Sequence, residues 1–290
     1  MTTTTASTTD LAATPPAAAP AAKAAKIWPP ALTLWHRELV RFFRQKNRVV
    51  SALVTPVLFY LMMGAGLNSS FSNEAAIGSA ADSVGYMVYF FPGTITMILL
   101  FTAIFSTITV IEDRREGFLQ GVLVSPAPRL SIVLGKVLGG ASIAMIHASV
   151  FLILWPFVAS ELNIGLMLAA IPVMVVLAIM LTAMGMCIAW PMDSTAGFHA
   201  VMMVLLMPMW FISGAIFPVG SAPIVMKVLM LCNPLTYGHE VLATVLTGGK
   251  ASSGVPLPLW VCMLITLALT AGLVLLAAKQ VAKPRKDGLA

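Results

Sequence analysis

Residues 162–192 read LNIGLMLAAIPVMVVLAIMLTAMGMCIAWPM, without a single Asp, Glu, Lys or Arg. Five further stretches lack these four residue types, at 49–73, 83–111, 137–160, 194–226 and 251–278. A helix that crosses the bilayer needs about 20 apolar residues, so each stretch can hold one crossing and some turn. Backbone groups in lipid must be satisfied within the segment, and the stretches lack the alternation of barrel strands. The sequence therefore predicts an all-α integral membrane protein, with about six transmembrane helices over 49–282.

The composition supports a membrane protein and argues against other classes. Hydrophobic residues make up 59% of the chain and charged residues 10%, whereas a soluble domain carries about 25% charged residues. The net charge of +6 fits lipid headgroups better than nucleic acid, because the basic residues are spread along a very apolar chain. The three cysteines have no CxxC spacing, so neither a disulfide framework nor a zinc site is indicated.

The basic residues predict the topology. Fifteen of the 17 Lys and Arg residues fall in the N-terminal segment, near the loop at 112–130 and in the C-terminal tail, and two fall on the opposite side. Basic residues collect on the cytoplasmic side, so both termini are predicted to be cytoplasmic. Residues 1–27, rich in Thr, Ala and Pro, are expected to form a disordered tail, and 283–290 a basic tail.

Two shorter segments flank the predicted spans. Over 28–48, apolar residues and arginines recur on separate helical faces, which predicts an amphipathic helix in the membrane interface rather than a plain basic flank. Its principal residues are Trp35, Arg37, Arg41 and Arg44. Over 217–255, two apolar stretches too short to cross flank Asn233-Pro234, which predicts an outward re-entrant helical hairpin that turns at this pair.

Gly135 and Gly139 are four residues apart at the start of the third predicted span. Small residues at this spacing let two helices approach closely. Packing is therefore the favoured role of this pair.

The usual chemistry of energy conversion and of catalysis is missing from the sequence. No acidic or basic residue falls in the middle of a predicted span, which counts against an ion relay. His239-Glu240 begins a metalloprotease-like pattern, but Ala243 stands where the second His is needed. The Gly-Lys pairs ending at Lys136 and Lys250 lack the rest of a phosphate-binding loop, so this chain is not expected to be an enzyme. Any active transport must take its energy from a partner.

The loop after the second span could receive that energy. It runs from Glu112 to Pro126 as EDRREGFLQGVLVSP, a charge cluster followed by one apolar helical face. An ordinary solvated loop would explain the arginines but not the acidic residues among them. A helix that presses into a partner's cleft accounts for both.

This chain resembles the membrane subunits of type-two ATP-binding-cassette (ABC) exporters, a permease family that includes antibiotic, nodulation-factor and polysaccharide exporters. The resemblance rests on the 112–126 segment followed by Gly135-Lys136, on the run Asn233-Pro234-Leu235-Thr236-Tyr237, and on the N-terminal amphipathic helix. It covers about 28–282, but the Thr/Ala/Pro-rich head is not part of the family pattern.

The resemblance implies partners and sites. Two copies of the chain, or two related permeases, would pair in a bacterial inner membrane, and two ATPase subunits would bind below and carry the ATP and Mg. ATPase coupling is expected at Glu112, Arg114, Arg115, Glu116, Gly117, Phe118, Leu119 and Asp193, and a substrate pathway at Phe101, Phe105, Met202, Leu206 and Met209.

The expected function is export of an amphipathic, drug-like or lipid-linked substrate, because spans without fixed charge suit neutral or apolar cargo. A secondary transporter driven by an ion gradient and a non-transporting membrane scaffold are the alternatives.

Overall fold

The computed structural model describes residues 27–71, 85–125, 127–159 and 163–283, and over these residues it contains helices and no strands. The α-helices are α1 Trp28–Arg44, α2 Lys46–Phe71, α3 Tyr86–Ser106, α4 Ile108–Arg115, α5 Phe118–Val124, α6 Arg129–Leu152, α7 Trp155–Val158, α8 Ile164–Ala189, α9 Thr195–Trp210, α10 Ile224–Cys232, α11 Pro234–Thr247 and α12 Leu259–Ala282. Outside the described residues lie 72–84, 126 and 160–162, and also 1–26 and 284–290, which make up almost all of the tails predicted at 1–27 and 283–290.

Among the residues that the structure describes, five helical segments are long and apolar enough to cross a membrane: Tyr86–Arg115, Arg129–Val158, Ile164–Ala189, Thr195–Ala215 and Leu259–Ala282. The predicted all-α membrane fold is confirmed. The first predicted span, 49–73, falls on the 26-residue helix α2, whose described apolar part is Leu53–Gly64. Its crossing stays a prediction.

Helix α3 lies at the centre of the bundle and packs against α2, α6, α8 and α11. Most of its side chains are buried, including three successive aromatic and proline residues, Phe90, Phe91 and Pro92. Helix α12 lies at the periphery and exposes a row of leucines, as a lipid-facing helix does. The core of the protein is therefore built around α3.

The amphipathic helix α1 ends at Arg44, four residues before its predicted end, because Gln45 leaves the helical conformation. It packs along α6, and the contact is made where α6 carries Gly135 and Gly139. A Cβ atom on Gly135 would lie 2.6 Å from the Cβ of Leu34, and one on Gly139 would lie 2.8 Å from the Cβ of Glu38. The predicted close approach at this glycine pair is confirmed, and its partner is α1.

The hairpin α10–α11 binds the end of α9. There the helix widens into a π-turn at Phe211–Ala215, where Gly214 has a φ of +89°. Two side chains donate hydrogen bonds to backbone carbonyls at or beside this bend. Asn233 Nδ2 donates to the Met209 carbonyl at 2.6 Å, and the Tyr89 hydroxyl donates to the Gly214 carbonyl at 2.6 Å. Asn233 also caps α11 by accepting from the Leu235 N–H at 3.1 Å, so the turn predicted at Asn233-Pro234 connects the hairpin to α9.

Candidate functional site

A cluster of charged side chains joins α1, α4 and α6 at one end of the bundle. Helix α1 contributes Arg37, Glu38 and Arg41, α4 contributes Glu112 and Asp113, and α6 contributes Lys136. Asp113 comes 24 residues after Tyr89, which contacts the π-turn. At a rise of 1.5 Å per residue, the charged cluster and the hairpin lie about 36 Å apart along α3 and α4, comparable to the thickness of a membrane.

Asp113 lies at the centre of the charged cluster and is fully buried. Its Oδ1 accepts from Arg37 Nη2 and from Arg41 Nη1, both at 2.7 Å. Its Oδ2 accepts from Arg37 Nη1 at 3.0 Å and from Lys136 Nζ. The hydrogen bond with Asp113 raises the pKa of Arg37, so this guanidinium stays charged. A carboxylate bound by three cations is strongly fixed in place.

Lys136 is the cation in α6 that completes the charged cluster. It is 5% exposed, and its Nζ lies 2.6 Å from Glu38 Oε1 and 3.3 Å from Thr109 Oγ1. A second layer of contacts lies nearer the surface, where Arg41 binds Glu112 at 2.8 Å and Glu116 at 3.5 Å. Helices α1, α4 and α6 are thus connected by ion pairs that leave no cation of the cluster without an acidic partner.

The predicted coupling segment is helical over almost its whole length. Gly117, at a φ of +76°, makes the turn between α4 and α5, which a residue with a side chain would adopt only with strain. Phe118 lies under the Arg37 guanidinium, whose Cζ is 3.7 Å from the ring centroid. Leu119 is 2% exposed and belongs to the core.

The apolar face expected to press into a partner packs against the core of the chain: Leu119 is buried, and Phe118, Val122 and Leu123 are partly buried. The segment instead exposes Arg115, Glu116, Gln120 and Val124.

Arg114 connects the coupling segment with the turn between α8 and α9, the second predicted contact. It donates to the carbonyl oxygens of Trp190 at 2.7 Å and Met192 at 2.9 Å, and it binds Asp193 Oδ1 at 3.0 Å. Asp193 keeps 71% of its side chain exposed. Because α9 begins two residues later, Arg114 links α4 directly to the start of α9.

An apolar cavity of about 660 Å³ lies between α2, α3 and α9. Phe101 and Phe105, two of the residues expected in the substrate pathway, line it. It extends from Glu112, in the charged cluster, to Trp210 and Phe211 at the bend of α9. A volume of this size suits a drug-sized molecule or part of a lipid.

The pathway residues expected on α9 do not line this cavity. Met202 and Leu206 are fully buried in the core and Met209 is 8% exposed, and none of the three lines the cavity. The cavity is lined instead by His199, Met203 and Met207, one position further round the helix. The sequence could not decide between the two faces because both carry methionines.

Of the four residues of α1 predicted to lie in the membrane interface, three bind other helices of the protein and one is exposed. Trp35 Nε1 donates to Ser142 Oγ of α6 at 3.0 Å, and Arg44 is exposed. Arg37 and Arg41 bind the acidic residues of α4 rather than facing away from the protein. The sequence predicted no role for Glu38 or Asp113. Two signals pointed to buried ion pairs: Glu38 lies between two arginines, and Lys136 lies within an apolar helix.

Within the described ranges, no group of three or more His, Cys, Asp or Glu residues could hold a metal ion. His239 Nδ1 lies 3.1 Å from Thr96 Oγ1, so this histidine packs between α11 and α3.

A sequence profile of the ABC-2 type transporter family matches residues 31–247, from the first turn of α1 to the end of α11. The chain belongs to the ABC-2 type transporter family. The match spans α1, the coupling segment, the cavity and the hairpin, and it confirms the resemblance found in the sequence. The protein is a multi-pass membrane permease of this family.

Three relatives from other organisms have low sequence identity to this chain. A putative transport permease, ycf38, from Cyanophora paradoxa is 23% identical over 206 residues, which cover 70% of this chain and 69% of the relative. Nodulation protein J from Rhizobium leguminosarum bv. viciae is 23% identical over 220 residues, which cover 75% and 82%. Nodulation protein J from bv. trifolii is 23% identical over 228 residues, which cover 75% and 81%.

Proposed function

We propose that this chain is the membrane subunit of an ATP-driven exporter that moves an amphipathic, drug-like or lipid-linked substrate out of the cytoplasm or the inner leaflet. Two copies of a separate ATPase subunit bind ATP and Mg and supply the energy. The permease pairs with a second copy or a related permease in a bacterial inner membrane, with both termini cytoplasmic. Family membership and the absence of a phosphate-binding loop from the sequence support this proposal.

The observation that carries the proposal is the buried ion-pair cluster. An ATPase that binds the coupling segment would push on its exposed side, at Arg115 and Glu116. The other side of this segment forms ion pairs with Arg37 and Arg41 of α1. Buried charges that lose their partners are costly, so α1, α4 and α6 move together rather than separate. The charged cluster is suited to transmit movement from an ATPase.

Movement of α4 reaches the cavity by two short routes. Glu112 lines the cavity and binds Arg41 at 2.8 Å. Arg114 holds the turn that precedes α9, the helix that carries Met203 and Met207 into the cavity. Displacement of the coupling segment would therefore change the cavity's shape at the wall formed by α9.

The apolar lining favours cargo with a large apolar part. Six aromatic side chains line the cavity, Phe42, Phe59, Phe101, Phe105, Trp210 and Phe211, and methionines lie between them. Aromatic and methionine surfaces adapt to varied apolar ligands.

The experiment is transport into inside-out vesicles that contain this chain with or without its ATPase. The probes are rhodamine 6G, which is drug-like, and a fluorescent phosphatidylethanolamine, which is a lipid. We expect ATP-dependent movement of at least one probe, and none when the ATPase is omitted. Movement driven by a pH or sodium gradient without the ATPase would indicate a secondary transporter. A complex that moves neither probe and whose ATP turnover responds to neither would indicate a scaffold.

A further inference from the structure

Glu240 on α11 is a buried carboxylate at the end of the bundle opposite the charged cluster. It is 5% exposed. In the part of the chain that the structure describes it forms no salt bridge, so hydrogen bonds alone stabilise it. An acidic side chain buried without a cation costs free energy unless its oxygens are well bonded. The arrangement around Glu240 therefore fixes the groups that bind it.

Those groups belong to the turn between α11 and α12. The hydroxyls of Ser252 and Ser253 donate to Oε1 and Oε2 respectively, and the Ser253 N–H donates to Oε2 at 2.8 Å. Thr244, one helical turn further along α11, contributes a longer contact of 3.4 Å to Oε1. Three donors from two successive residues hold the turn on the helix.

The same turn holds the segment that follows the π-turn of α9. The Ser253 carbonyl accepts from the N–H of Val219 at 2.6 Å and from the N–H of Gly220 at 3.3 Å. Its side chain also covers Gly214, where an added Cβ would lie 3.0 Å from the Cβ of Ser253. Ser253 thus connects Glu240 with the bend in α9 and with the segment that follows it.

The bend is where the cavity ends. Trp210 and Phe211 line the last part of the cavity, and Trp210 is fixed to α3 by a hydrogen bond of 2.9 Å from Nε1 to the Gly93 carbonyl. The bend follows directly at Phe211–Ala215. Opening the cavity toward the hairpin requires these residues to move, and the turn held by Glu240 lies directly against them.

We propose that Glu240 is a positioning residue that keeps the hairpin end of the cavity closed, and that the Ser252–Gly254 turn leaves its carboxylate when the cavity opens toward that end. The proposal rests on the proposed transport function. It assigns Glu240 to the step in which cargo leaves, at the end away from the coupling segment. The charged cluster and Glu240 would then control opposite ends of one pathway.

Hydrogen–deuterium exchange on the complete complex in lipid nanodiscs tests this proposal. The probes are the amides of Val219 and Gly220, which are bonded to Ser253. Their exchange is compared without nucleotide and with ATP trapped by a hydrolysis-deficient ATPase. We expect exchange at least about tenfold faster in the trapped state, and equally fast without nucleotide in Glu240→Ala. Glu240→Gln, which keeps an acceptor oxygen, should stay close to the wild type.

Ser221→Ala is the matched control, because it removes a hydroxyl that bonds only to the Pro218 carbonyl in its own turn. Its exchange should equal that of the wild type. Unchanged exchange in the trapped state while vesicles still transport cargo would overturn the proposal, as would equal effects of Ser221→Ala and Glu240→Ala. If the wild-type complex moves no cargo with ATP, the proposed function fails, whereas the comparison of the variants without nucleotide still shows whether Glu240 holds the turn.

Discussion

Replacing Lys136 by methionine should destabilise the protein strongly. The change keeps the length of the side chain but removes the cation between Glu38 and Asp113, both of which are buried. Removing one partner of a buried ion pair typically costs about 3–5 kcal/mol. Asp113 keeps two arginines and Glu38 keeps one contact with Arg37 at 3.2 Å, so we expect a cost of about 3 kcal/mol. For a chain of this size, that corresponds to a midpoint of unfolding lower by about 6–12 °C.

Thermal unfolding can be followed with a thiol-reactive fluorescent dye, because Cys187 and Cys262 are buried in the folded protein. Cys232 is exposed and is replaced by serine in every variant to remove background. All variants are heated at one rate, since unfolding of membrane proteins is often irreversible. The exposed Lys279, replaced by methionine, serves as the control and should leave the midpoint unchanged.

A double variant, Lys136→Met with Glu38→Met, distinguishes a lost ion pair from a general defect. Replacing both members of a buried pair by apolar residues is often neutral, so the double variant should recover most of the lost stability. A Lys136→Met midpoint within 2 °C of the wild type would refute the reasoning. So would a double variant that is less stable than the single one.

Two further comparisons use positions that look alike in sequence. Gly139→Ala should lower the midpoint of unfolding in the dye assay and weaken ATPase coupling, because its Cβ would displace α1 at Glu38. At Gly272 an added Cβ would have no atom within 4 Å, so Gly272→Ala should leave the stability unchanged or raise it by up to about 1 kcal/mol. Met202→Ala should cost about 2–5 kcal/mol because it leaves a hole in the core. Met203→Ala should keep the stability and change which probes the vesicles transport; the reverse pattern would contradict the assignment of the cavity wall.

Most of the fold could be predicted from the sequence because lipid restricts the options. The charge-free stretches had to become helices, and five of them meet the requirements of length and composition for a crossing. The glycine pair on α6 indicated a close helix contact correctly, but the spacing could not show that α1 was the partner. The length of α1 was overestimated because the amphipathic pattern continues through Gln45, where the backbone turns.

The sequence predicted ATPase coupling at Asp193 and at seven residues within 112–119, without Asp113, and these roles stay predictions. The structure brings Arg114 and Asp193 together at 3.0 Å. The partners of these charges come from α1 and α6, 76 and 23 residues away from Asp113, and periodicity carries no information on such distant pairings. The face of α9 that lines the cavity could not be predicted for a related reason, because that helix is apolar on all sides and its packing alone decides which methionines are buried.

Site-directed photo-crosslinking in the assembled complex tests most directly whether an ATPase binds at the coupling segment. A photoreactive amino acid replaces Arg115, which is exposed at the charged cluster, or Ile224, which is 75% exposed on the hairpin at the opposite end. We expect a crosslink to the ATPase subunit from position 115 and none from position 224. A crosslink from position 224 with none from position 115 would place the ATPase at the wrong end and contradict the proposed route of energy into the permease.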